Sequence, residues 1–470
     1  MRKIKIISLM LAILLMLSLF VSCNNNTGDA ETSNADTQSL ETENSEVRQI
    51  NGVPLEEYTI VYSAKDVDYS QRAAKYISEQ IEARTQVKLE VKKDKDGFFD
   101  HEIVVGETSR DISATLNADT KGTQFAILAD DNHIALEGDY FVIAAAAYFF
   151  VETYVTGEYF NAQVPKEVSI HEPIVKEAKN YIMLIGDGMG KNQTKLFEAM
   201  DAEDLPYSDG EDIFYGYLLP YQGQALTNNV KNQTTDSAAG GTALATGYKT
   251  KNYLIGKDQD GNDVQSLTEL AGSLNMSTAV MSTDPAVGAT PATFSAHAND
   301  RYDEEDIKAT QKALQEQYGT IITCDLNYSF DKSGVKLLEK KVNDTLDKLS
   351  ENENGFFMMY EEAKIDGYCH GNNLDSTFKC VVRFNQVIGI VMEYAFYNPD
   401  TFVLITADHE TGALTKEGST FKFNSGDHSS ANVPIFAYGD GAEFFNDRTC
   451  SNITIPKKIA SYWGVEKFGQ

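Results

Sequence analysis

Positive charge is scarce in this chain: 40 Lys and Arg face 70 Asp and Glu over 470 residues, a formal charge of −30. A surface of that sign repels phosphate backbones, which argues against nucleic acid as a partner. A small anionic substrate would have to be drawn by positive charge that composition does not count, and metal ions are the obvious source. Cysteine is sparse as well. Beyond Cys23 there are Cys324, Cys369, Cys380 and Cys450, and no two have zinc-finger spacing. Their spacing fixes no disulfide connectivity, so they are expected to be structural or free. No internal repeat is evident. The leading apolar stretch, Ile6 to Val21, is too short to cross a bilayer comfortably.

That stretch follows Arg2, Lys3 and Lys5 and ends in Ser22-Cys23, the order of an export signal. Its end, Phe20-Val21-Ser22-Cys23, resembles a bacterial lipobox, with Phe20 where Leu is more usual. The resemblance implies a signal peptide over residues 1–22 and a lipid on Cys23. The protein would then be exported and anchored to the bacterial cell membrane, its folded part outside the cytoplasm. Residues 24–48 are mostly Asn, Thr, Glu, Ser, Asp and Gln, with little to bury. Residues 23–48 are therefore expected to form a lipidated, disordered tether.

A first folded region is expected over residues 49–177. Tyr58 to Tyr62, Val87 to Val91, Ile103 to Gly106 and Phe125 to Leu128 read as strands. Ala73, Tyr76, Ile77 and Ile81 share one helical face, and a second helix runs through Ile143 to Tyr154. The phrase Glu102 to Arg110, with Leu136-Glu137-Gly138 and Ala147 to Phe150, resembles small α/β domains that precede bacterial glycosidase domains. That implies an accessory, non-catalytic role.

From residue 178 to 470 the pattern changes. Tyr181 to Ile185 runs into Gly186-Asp187-Gly188, Phe356 to Tyr360 into Glu361, and Phe402 to Thr406 into Asp408-His409. Continuous apolar runs of this kind are the mark of parallel strands buried on both faces. Ligands bind beyond the carboxyl ends of such strands. Asp187, Glu361 and Asp408-His409 are therefore expected at one edge, in an anionic cup that needs cations to stay ionised. His297, His370, His409 and His428 fall in the same region. Asp366 and His370 stand one helical turn apart and could face a single ion. Carboxylate with imidazole suits zinc, whereas an oxygen-only set suits magnesium.

Thr234 to Gly247 sets the hydroxyl of Ser237 beside the carboxylate of Asp236, ahead of a run of very small residues. Small residues let a helix start hard against a ligand, with free N–H groups aimed at an anion. Ser237 is then a nucleophile or a helix cap. The stretch by itself leaves both open, and the cap is the commoner use.

Taken together, the motifs from Lys179 to Gln470 resemble the alkaline phosphatase family. They are Ile185 to Gly190, Thr235 to Ala239, Ala289-Thr290-Pro291-Ala292, Glu361 to Asp366, Thr406 to Glu410 and Asp427-His428, in the family's order. The resemblance implies an α/β/α sandwich with a mostly parallel central sheet. It implies hydrolysis of phosphate monoesters through a phosphoserine on Ser237, and a possible homodimer. Asp366, His370 and His428 would hold a first zinc, and Asp187, Asp408 and His409 a second. Asp187, Thr290 and Glu361 would hold a magnesium, and Arg301 would grip phosphate in a two-pronged fork. His297 matches no family ligand and is read as structural.

Two positions depart from the family. Gly288 stands where many bacterial members carry an acidic residue, and Gly367 where Lys or His is frequent. The departures put the magnesium side in doubt and spare both zinc sets. The short segment from His409 to Asp427 leaves little room for an insertion over the site, so an open site is expected. A phosphodiesterase of the same superfamily is the alternative reading, and a non-catalytic glycan-binding surface lipoprotein a more distant one. Ser237-Ala238-Ala239-Gly240 does not supply the Cys/Ser-x-Pro-x-Arg context of a sulfatase.

Overall fold

The computed structural model describes residues 46–65, 67–116, 120–202, 205, 208 and 212–470. The export signal, Cys23 and nearly all of the tether lie outside them. No helix among the described residues is long and apolar enough to cross a membrane.

The first region builds a six-stranded sheet from β1 (Tyr58–Tyr62), β2 (Val91–Lys93), β3 (His101–Val105), β4 (Phe125–Ala129), β5 (His133–Glu137) and β6 (Ser169–His171), in the order β2-β1-β3-β5-β4-β6. Helix α1 (Val67–Thr85) buries Ala73, Ile77 and Ile81 against it, beside α3 (Val142–Tyr154), with the short α2 (Asp111–Leu116) between them in sequence. The strand expected over Val87 to Val91 is shorter than its alternation suggests. Leu89 is buried between exposed Lys88 and Glu90, as a half-buried strand requires. The Leu89 carbonyl, however, accepts from Ser78 Oγ of α1 at 2.9 Å, and ladder pairing begins only at Val91, opposite Ile60.

The second region builds an eight-stranded sheet: β7 (Asn180–Gly186), β8 (Tyr221–Leu226), β9 (Ser277–Ser282), β10 (Ile321–Thr323), β11 (Phe356–Glu362), β12 (Thr401–Thr406), β13 (Val433–Tyr438) and β14 (Thr449–Ser451). The order is β10-β9-β11-β7-β12-β13-β8-β14, and only β13 runs against the rest. Every residue of β7, β11 and β12 is buried, so helices cover both faces of these strands. This is the three-layer α/β/α sandwich with a mostly parallel sheet. In the register Ile185 lies opposite both Glu361 and Thr406. Asp187, Glu361 and Asp408 therefore leave three adjacent strands at the same edge.

The two regions share one apolar core. Phe141 beside α3 meets Tyr215 and Phe396, with ring centroids 5.1 and 5.7 Å apart. Tyr76 of α1 stacks on Tyr397 at 4.2 Å.

Four helices position the site: α4 (Ser237–Thr246), α5 (Ala289–Thr293), α6 (Lys364–His370) and α7 (Leu374–Tyr397). Arg383 of α7 lies fully buried and forks onto Glu362, with Nε donating at 2.8 Å and Nη2 at 2.6 Å. Thr283 Oγ1 and the Lys364 N–H also donate to Glu362, at 3.1 and 3.2 Å. Glu362 thus ties β9, β11, α6 and α7 together directly behind the site. Arg383→Met is expected to leave that carboxylate charged and unpaired, lowering stability by about 3–5 kcal/mol. Urea unfolding of the variant against wild type checks this.

Candidate active site

Asp236 decides the role of its neighbour. Its carboxylate caps α4, accepting from the Ala239 N–H at 2.9 Å, which leaves the Ser237 hydroxyl free at the first helical position. Ser237 Oγ lies 3.1 Å from His409 Nε2. The small residues serve a close approach, since a Cβ at Gly240 would sit 2.9 Å from the Asp408 carbonyl oxygen. Gly188 answers the same demand after β7. It adopts φ +70°, and a Cβ there would lie 2.9 Å from Asp366 and from Thr411 Oγ1.

Around Ser237 the side chains form two clusters that meet at His409. In one, His409 Nε2 stands 3.4 Å from Asp187 Oδ1 and 3.2 Å from Asp408 Oδ2. In the other, His370 Nε2 is 3.3 Å from Asp366 Oδ2 and 3.1 Å from His428 Nε2, which is itself 3.6 Å from Asp366 Oδ1. The His409 and His428 rings stack at 3.7 Å and join the clusters. Ligand atoms of Asp187, Asp408 and His409, and those of Asp366, His409 and His428, lie within 4.8 Å of one another, close enough to share an ion.

The hydrogen bonding leaves room for positive charge in both clusters. His370 Nδ1 is 2.6 Å from the Gly426 carbonyl and His428 Nδ1 is 2.9 Å from that of Thr235. A carbonyl only accepts, so both Nδ1 atoms carry hydrogen. The two Nε2 lone pairs of the neutral rings then point at each other, an arrangement that a proton or a metal ion must bridge. In the other cluster Asp187 Oδ1 and Asp408 Oδ2 are buried without a hydrogen-bond partner. Buried carboxylate oxygens in that state fit a cation.

Glu361 and Thr290 lie on the far side. Glu361 is 1% exposed and accepts from the Ser282 hydroxyl. Thr290 Oγ1 is buried and makes no well-formed hydrogen bond, although it lies near enough to Glu361 to favour its charged form. Burial, helped by the charges of Asp284 and Asp408, pushes the Glu361 carboxyl up to about 8. Burial and the charges of Asp408, Asp366 and Glu361 also raise Asp187 well above the ordinary carboxylate range. Burial works the same way on Asp366, but hydrogen bonds from His370 and Thr411 and the nearby imidazoles outweigh it and hold Asp366 low. The hydrogen bond to Asp366 in turn raises His370 to about 9.

Arg301 is no solvated surface charge. Its Nη1 donates to Asp236 Oδ2 at 3.3 Å, one residue from Ser237, and the side chain is 24% exposed. Its acidic neighbours face other partners, Asp300 accepting from the Tyr302 N–H and Asp303 capping the next helix. His297 is held between the Gly256 carbonyl at 2.7 Å and Glu269 at 3.2 Å, away from both clusters, as a structural histidine would be. Cys324, Cys369, Cys380 and Cys450 are all unpaired.

Two participants, Thr411 and Asp284, were invisible in the motifs, and a third, Lys364, stands inside the Glu361 to Asp366 motif with no role assigned to it. Thr411 Oγ1 donates to Asp366 Oδ1 at 2.5 Å. Asp284 and Lys364 form an ion pair at 2.6 Å beside Glu361. This pair explains one departure, because a Cβ at Gly288 would lie 2.4 Å from Asp284 Oδ2. Position 288 is filled by a carboxylate four residues upstream. Nothing lies within 4 Å of a Cβ at Gly367, so that change only opens space.

Fold and site together define an α/β protein with a serine nucleophile candidate set among side chains that could hold metal ions. The chain belongs to the alkaline phosphatase family, whose model matches residues 178–337 and 323–424, over half of its length. It is similar to alkaline phosphatase 4 of Bacillus subtilis (strain 168), 30% identical over 292 residues, a match spanning 51% of this chain and 63% of that one. The alkaline phosphatase of the Antarctic bacterium TAB5 has a similar structure, with TM-score 0.55 and 26% identity over 63% of this chain and 100% of that one. A variant of the same enzyme with Mg bound in its M3 site matches at TM-score 0.52 and 27% identity, with the same coverage.

Raised carboxyl and imidazole groups bind protons in the folded state that the unfolded chain has already released. Metal-free protein is therefore expected to lose stability as pH rises from about 5, above the ordinary carboxyl value of 4.5, to about 9, where His370 gives up its proton. Zinc should restore stability most at the alkaline end. Thermal melts across pH, with chelator and after adding zinc, measure both effects.

Proposed function

We propose that the protein is a phosphomonoesterase that forms a phosphoserine on Ser237. The observation carrying this reading is the Ser237 hydroxyl, not engaged by the start of α4 and 3.1 Å from His409 Nε2 at the meeting point of two cation-poor clusters. Asp366, His370 and His428 would hold one zinc, Asp187, Asp408 and His409 the other. Asp187, Thr290 and Glu361 offer the oxygen set for magnesium, an ion that the TAB5 variant carries in its M3 site. Asp284 and Lys364 occupy the ground beside that set.

Bound there, the ions would lower the pKa of the serine hydroxyl and of water and stabilise the leaving oxygen. The chain's own residues account for the rest. Asp236 keeps Ser237 at the mouth of α4 with its hydroxyl uncommitted, and the α4 N–H groups face the nonbridging oxygens. Arg301, steadied by Asp236, closes on two of those oxygens. Ser237 loses its hydroxyl proton to solvent, its Oγ bonds to phosphorus, and the ester oxygen leaves on the opposite side and is protonated by water. Water then breaks the Oγ–P bond and returns the hydroxyl.

A lipid on Cys23 would hold the enzyme at the outer face of the cell membrane, with residues 49–177 as an accessory unit. Homodimerisation is part of the same proposal.

Assay of the purified protein on an aryl phosphate and an aryl phosphodiester, with and without chelator, tests this reading. Monoester turnover should dominate, stop with chelator, and fall about a thousandfold or more in Ser237→Ala. Elemental analysis should give two zinc ions and one magnesium per chain. Dominant diester cleavage would transfer the chain to the phosphodiesterases, and absence of turnover with metals bound would reject both.

A further inference from the structure

Two tyrosines beside Arg301 keep their rings largely in solvent. Tyr253 is 50% exposed and Tyr302 is 74% exposed, yet their ring centroids lie 6.1 Å apart. Both belong to the phosphate end of the site. The Tyr253 N–H donates at 3.1 Å to Asp236 Oδ2, the same oxygen that receives Arg301 Nη1. The Arg301 guanidinium carbon is 5.8 Å from the centre of the Tyr302 ring.

The placement is imposed, not incidental. Tyr253 adopts φ +76°, a conformation that bulky residues avoid and that costs free energy unless the surroundings enforce it. Asn252 provides the restraint, donating to the Thr234 carbonyl at 3.2 Å and accepting from Asn229 at 3.0 Å. Two backbone hydrogen bonds of 3.0 Å between Ile255 and Ala298 tie the Tyr253 loop to the segment that carries Arg301 and Tyr302. Loop strain and cross-bracing together hold two apolar rings in water beside the residue that would grip phosphate.

We propose that Tyr253 and Tyr302 form a stacking platform for a planar aromatic group on the phosphate ester, such as a nucleobase or an aryl ring. This rests on the phosphomonoesterase reading and names its substrate class. The two rings already meet at pair distance with their planes tilted by 43°, so a planar guest stacks on the outer face of one ring against the edge of the other and not between them. Base–tyrosine stacking is tolerant of base identity. The platform therefore selects aromatic over aliphatic esters without choosing among bases.

The test compares adenosine monophosphate with glycerol phosphate. The ratio of their kcat/KM values should favour the nucleotide in wild type. It should drop about tenfold in Tyr302→Ala and in Tyr253→Gly, chiefly through KM, and persist in Tyr302→Phe, which keeps the ring. Glycine at position 253 accepts the positive φ, so that variant removes the ring without adding strain. A ratio unchanged in both Tyr302→Ala and Tyr253→Gly, or lost in Tyr302→Phe as well, overturns the proposal. Calorimetric binding of both compounds to wild type and Tyr302→Ala decides the matter even if neither is turned over. Tighter nucleotide binding that the substitution abolishes supports the platform, and equal affinities reject it. Lack of turnover alone counts against the phosphomonoesterase reading.

Discussion

Buried negative charge at the carboxyl edge of a parallel sheet is the constraint on which the rest of this structure depends. Three adjacent strands end in Asp187, Glu361 and Asp408, each almost fully buried. In water such groups ionise freely. Here burial and the neighbouring carboxylates raise the cost of charging Asp187 and Glu361, and solvent cannot compensate. The site must therefore take up protons or cations. The imidazoles of His370, His409 and His428, with their Nε2 atoms turned inward, are ordered in a way that favours cations.

The surrounding architecture separates charges that the protein balances for itself from those it leaves open. Glu362 is neutralised by the Arg383 fork, and Asp284 by Lys364. Glu361 has no such cationic partner, receiving a hydroxyl donor from Ser282 with Thr290 close by. Asp236 is committed three times, to the start of α4, to Arg301 and to the Tyr253 N–H. Its capping role is what frees Ser237. A serine that capped its own helix would have its oxygen engaged by backbone N–H groups.

Much of this was legible in the sequence because it follows from local pattern. The runs at Tyr181, Phe356 and Phe402 announced buried parallel strands, and the residues after them had to emerge at one edge once register was set. The Asp-x3-His spacing of Asp366 and His370 was readable as one helical turn. The strand at Val87 was overcalled for the converse reason. Alternation reports burial, whereas ladder pairing depends on what meets the backbone, and the Leu89 carbonyl accepts from Ser78 Oγ. Lys364 stands inside the Glu361 to Asp366 motif, but its pairing with Asp284 left no signal, because the two are 80 residues apart and their relation is purely spatial. Gly288 looked like a lost carboxylate until the space beside it proved to hold one.

The sequence by itself determined the sheet core, the family, and the identity of the side chains gathered at the strand ends, since these rest on hydrophobic pattern and short-range spacing. It could not assign Ser237 between cap and nucleophile. Only the tertiary structure decided that Asp236 takes the cap, that Arg301 turns inward to it, and that His409 joins both clusters. Nor could pattern bring Tyr253 beside Tyr302. Each of these outcomes is fixed by the meeting of segments far apart in the chain, where distance and exclusion of water set the chemistry.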